Sequence, residues 1–152
     1  MINTTLIGGL ITSAAFSVIV LLSWRFTPEV WLHDLTDGAV ESPKTPPSYI
    51  VFISIIATLV IGSTATAWGF AAENVTTFFQ RALMAWLVLV ILNLVDLVII
   101  DWLIYIKMYP KFMQVEGIEP LIALWPHVRG FFIGIATGIP IALIAALITM
   151  LA

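Results

Sequence analysis

"TFFQRALMAWLVLVILNLVDLVIIDWLIYIKMYP", Thr77 to Pro110, is the stretch on which the fold turns. From Thr77 to Ile106 it is long and apolar enough to cross a ~30 Å hydrocarbon layer, for which a helix needs ~20 residues. It nevertheless carries Asn93, Asp96 and Asp101. Three other runs, Leu6–Trp24, Tyr49–Phe70 and Val128–Leu151, meet the same length requirement. The expected fold is therefore an all-α polytopic membrane protein, with residues 1–152 forming a single four-transmembrane-helix bundle.

Composition points the same way. The chain is 61% apolar and 10% charged, with a mean hydropathy of +1.11, whereas soluble domains are about 45–50% apolar and about 25% charged. With no cysteine, disulfides, thiolate metal sites and a cysteine nucleophile are excluded. A net charge of −3 without a basic stripe gives no support for nucleic-acid binding. No Lys or Arg precedes the first apolar run, so it is expected to be a retained helix rather than a cleaved signal.

The connections set the orientation. Arg25, Lys44, Lys107, Lys111 and Arg129 fall in or beside the first and third connections, and Arg81 alone lies toward the other side. Basic residues favour the cytoplasmic side, which puts connections 25–48 and 107–127 inside and both termini outside, in what is expected to be a bacterial plasma membrane. In the first connection, "TPEVWLHDLTDG" has Thr27 as a cap, Pro28 at the first helical position and Gly38 at the end, so a short interfacial helix is expected. The following "ESPKTPPS" is expected to run extended. In the third connection a turn is expected at Gly117, and Pro126 is expected to close the apolar piece "LIALWP". Asn74-Val75-Thr76 matches a glycosylation sequon but lies too near the membrane to be read as one.

Small residues suggest how the spans pack. Gly130, Gly134, Gly138, Ala142 and Ala146 form a ridge along the fourth span, with shorter versions at Gly9, Ser13 and Ser17 and at Ser54, Thr58, Gly62 and Thr66. Such ridges let backbones approach where lipid removes the hydrophobic drive between helices. Packing within the bundle is the expected use, and a homo-oligomer seam is the alternative.

Ionisable residues inside a span are costly and rare, and by default suggest function. At about 100° per residue Asn93 and Asp96 share a face, and Asp101 lies about 140° around from Asp96. The two carboxylates then meet only if the helix is distorted or if each has its own partner. Asp96 is also about 7.5 Å deeper than Asp101. Asp96, Asp101 and His127 are the candidate acid and base groups. Asn93, His33, Asp34, Arg129 and Trp102 are the candidate substrate-binding residues. The plainer expectation makes His33 and Asp34 solvated residues of the interfacial helix, and His127 and Arg129 anchors that reach lipid phosphates. No recognised ligand spacing supports a metal site, and nothing names a cofactor.

"LNLVDLVIIDW", followed by "PHVRGFF" and preceded by "PEVWLHDLTDG", resembles a group of small four-helix bacterial integral membrane proteins with no established activity. The resemblance implies the fold and adds no mechanism. Three functions are therefore weighed. The favoured one is a polar pocket in the cytoplasmic half of the bilayer that binds or converts a lipophilic small molecule by acid/base chemistry. The others are an oligomeric proton- or ion-coupled transporter, and an assembly subunit of a membrane complex. Membrane lipids are expected partners in all three. Neither a nucleophile elbow, a phosphate-binding glycine loop, HExxH nor a dinucleotide fingerprint occurs.

Overall fold

The computed structural model describes residues 2–36, 41, 44–72, 77–119 and 122–151, and every regular element among them is helical. Helix α1 (Ile2–Phe26) is followed by a 3₁₀ turn, Pro28–Trp31, and by the short α2 (Leu32–Leu35). Helices α3 (Pro46–Ala72) and α4 (Phe78–Val95) come next, and α4 runs directly into a π-helix, Asp96–Met108. A 3₁₀ turn, Lys111–Met113, precedes α5 (Leu124–Leu151). Four helical stretches, Asn3–Phe26, Pro46–Gly69, Phe78–Met108 and Leu124–Leu151, are long and apolar enough to cross a membrane. Their outward faces carry large exposed apolar side chains such as Ile53, Phe79 and Phe132, as contact with lipid tails requires.

The helix ends follow local chemistry, with two departures from expectation. Pro46 and Pro47 begin α3 instead of extending the chain ahead of it, because the first turn has no intrahelical use for their missing N–H groups. For the same reason Pro126 lies in the first turn of α5 and does not close the segment before it. Thr77 and Gln80 form a reciprocal capping box at the start of α4. The turn at Gly117 is present, with φ of +76°. Gly38 and the 74–76 sequon lie outside the described residues. At the end of the π-helix Tyr109 turns left-handed (φ 34°), and its N–H donates to the Ile104 carbonyl at 2.8 Å, a bond across five residues.

Helices α3 and α4 form the middle of the bundle, with α1 and α5 on either flank, each packed on both and making little direct contact with one another. The α1–α3 seam is reciprocal. Thr66 of α3 fills the space beside Gly8, and Thr12 of α1 fills the space beside Gly62, so a Cβ at either glycine would overlap the facing threonine. Each threonine hydroxyl donates at 2.7 Å to the glycine carbonyl one turn back on its own helix, Thr12 to Gly8 and Thr66 to Gly62. Both hydroxyls are thereby satisfied, and the helices remain close enough to pack.

The small-residue ridge of α5 faces α4. Gly138, Ala142 and Ala146 are buried, Gly138 lies against Leu89, and Gly134 lies against Asn93. In α1 the glycine pair divides its work, with Gly8 meeting α3 and Gly9 meeting Ile91 of α4. Arg81, at the far end of α4, donates to the Thr149 carbonyl in the last turn of α5.

Candidate functional site

At the end of the bundle where α4 becomes π-helical, a gap separates α1 from α5. Between them lies a cavity of about 470 Å³, within the roughly 300–1,000 Å³ typical of small-molecule sites. Its walls come from the last turns of α1, the α4–π junction, the first turns of α5 and the segment around α2. Asn93, Asp96, Asp101, His127, Arg129 and His33 all contribute to the lining.

The π-helix accounts for the two carboxylates lying together. Where the backbone bonds i to i+5, residues five apart stack on nearly the same face, and Asp96 and Asp101 are five apart. Burial follows the same spacing, since Ile100 and Tyr105, also five apart, are both only 3% exposed and both belong to the adjoining apolar core. The expectation that Asp96 and Asp101 diverge by about 140° assumed an α-helix. The wider ladder turns less per residue and reduces that divergence.

Asp101 pairs across the cavity wall with α5, where Nδ1 of His127 lies 3.1 Å from its Oδ1. The His127 ring also packs on Tyr105, with centroids 5.1 Å apart. An aromatic row continues from there, with Tyr105 stacked on Trp24 at 6.1 Å and Trp24 on Trp31 at 5.5 Å. Trp31 is held by its indole N–H, which donates to Ser23 Oγ at 3.0 Å, and that hydroxyl donates on to the Val20 carbonyl at 2.7 Å. Beyond the span, burial pushes the Tyr109 phenol above its ordinary pKa, and its ring meets that of Tyr105 edge-on.

Asn93 marks the deep end. Its Nδ2 donates to the Leu89 carbonyl at 2.8 Å, and its Oδ1 rests over Gly134, where a Cβ would overlap it. Only glycine at 134 leaves room for this amide.

The other candidates lie less centrally. His33 is exposed at the rim, and Trp102 is 44% exposed and takes no part in the lining. The side chain of Asp34 lies outside the described residues. Among the described residues no three His, Asp or Glu side chains gather as a metal-binding group. Trp24 and Tyr105, whose type and depth would also suit an interfacial aromatic belt, line the cavity together with Trp31. The five-residue spacing of Ile100 and Tyr105 was available as a signal, but only to a reader who already suspected a π-helix. No protein-family model, no curated protein and no solved structure matches the chain.

Proposed function

We propose that this protein binds a lipophilic small molecule with a polar head in the cavity between α1, the π-helix and α5, and exchanges protons with it. One observation carries the proposal. A single cavity places the Asp101–His127 pair, Asp96 and Asn93 opposite an apolar and aromatic wall built by Phe16, Val20 and Trp24. Apolar walls with a few convergent polar groups are the usual makeup of a ligand site, and ionisable residues within a span seldom persist without use. In the proposed chemistry Asp101 orients His127, which serves as proton donor and acceptor. Asp96 is a second proton-exchanging group, and Asn93 orients the head.

The clustering of basic residues at this end of the bundle supports a cytoplasmic position for the cavity in a bacterial membrane. The test is chemical. Wild-type protein purified from membranes in mild detergent should release, on organic extraction, a small molecule detectable by mass spectrometry. Asp96→Asn and His127→Ala copies with the same helical circular dichroism should lack it. Identical extracts from all three proteins would reject the proposal.

A further inference from the structure

The large cavity does not end at Asn93. A second chamber of about 100 Å³ lies beyond it, deeper in the bundle, and shares Phe16, Asn93 and Asp96 with the first. The rest of its wall is mostly apolar, with Leu59 from α3, Leu89 and Leu92 from α4, and Ile141 from α5. Asn93 stands where the two spaces meet, pinned to the Leu89 carbonyl on one side and seated on Gly134 on the other. One space is lined by paired polar and aromatic groups, the next is smaller and more apolar, and Asn93 lies on the boundary they share with Phe16 and Asp96.

We infer that the inner chamber is a chain-binding subsite, and that the ligand class is an uncharged, hydroxyl-bearing head with an unbranched apolar chain that passes Asn93. This inference rests on the proposed binding of a lipophilic molecule in the outer cavity. The head is uncharged because the outer lining presents both signs, Asp96 and Asp101 against Arg129, so either net charge would meet a like one. It bears a hydroxyl because that group can donate to a carboxylate and accept from His127 or Arg129. The chain is unbranched because the chamber beyond Asn93 is only about 100 Å³ and the amide already fills the space beside Gly134. At the ~30 Å³ share of a water-sized group, the chamber holds about three methylenes. Asn93 is thus a specificity-determining residue that sets how much of the chain is admitted.

The experiment uses 4-n-alkylphenols from methyl to octyl as probes of the full-length protein in detergent. Binding is measured by isothermal titration calorimetry and referred to the free aqueous probe. Affinity should rise about fourfold per added methylene, the equivalent of ~0.8 kcal/mol for each buried CH₂, and then stop once the chamber is full. Leu59→Phe and Ile141→Phe, which fill the chamber without touching the outer cavity, should bring the stop forward by at least one carbon. Asn93→Ala, which opens the partition, should delay it. Two filling variants are used so that a folding failure in one leaves the other to decide. If the probes bind but the chain-length profile is the same in all four proteins, the inner-chamber assignment is overturned while the outer site stands. If no homologue binds the wild type, the outer site fails as a hydroxyl-binding pocket, and the inference falls with it.

Discussion

The α1–α3 seam and the α1–α5 gap use the same helix, α1, for opposite purposes. Toward α3, Gly8 and Thr12 mesh with Thr66 and Gly62, and the backbones close on one another. Toward α5, Phe16, Val20 and Trp24 line a cavity that separates the helices. The difference shows how a lipid-embedded bundle makes space. Helices come together where small residues let their backbones touch, and leave space where they sit on opposite flanks of the bundle with aromatic rings between them. The site occupies the second kind of region, walled by Trp24, Tyr105 and His127.

Breaking the open side should have the largest effect. Trp24 is 5% exposed and stacked between Trp31 and Tyr105, so Trp24→Ala should cost about 4 kcal/mol of stability. The measurement is unfolding in detergent followed by circular dichroism, and binding in the outer cavity should be lost with it. On the closed side, Gly62→Leu forces a side chain into the space held by Thr12 and should cost about 3 kcal/mol by overpacking, with the helix pair separating.

A smaller effect belongs to the cavity pair. His127 and Asp101 are mostly buried at 14% and 20% side-chain exposure, and a double-mutant cycle with His127→Ala and Asp101→Ala should give a coupling of about 1.5 kcal/mol. A coupling near zero would show that the pair holds no part of the wall in place. The smallest effect should have the opposite sign. A Cβ at Gly130 meets nothing within 4 Å, so Gly130→Ala should stabilise the protein by about 0.5 kcal/mol through helix propensity alone. Set beside Gly62→Leu, it would show that the glycines of this chain are not equivalent.

Much of the architecture was legible because hydropathy is a local property. Each run long enough to cross a membrane is found as a helix, and each helix extends past its run at one end at least, as Ile2–Phe26 does at both ends of Leu6–Trp24. The α5 ridge was also visible, since Gly134, Gly138 and Ala142 repeat every four residues. Pairings were harder. Gly9 and Ser13 gave the better small-residue pattern, but Gly8 and Thr12 make the seam with α3, because a threonine that bonds its own backbone packs like a small apolar residue. The aromatic side chains that line the cavity were hidden for a related reason. Belt residues and cavity residues have the same composition and the same depth.

The sequence by itself determined that four helices cross an apolar layer and that Asn93, Asp96 and Asp101 ride on the third, because the length and polarity of a segment require no partner. Only the tertiary structure decided that Asp96 and Asp101 share a face and that His127 meets Asp101. The first depends on a π ladder that no short motif announces, and the second on where α5 begins relative to α4. Facing relations of this kind belong to pairs of helices, and one helix read alone does not contain them.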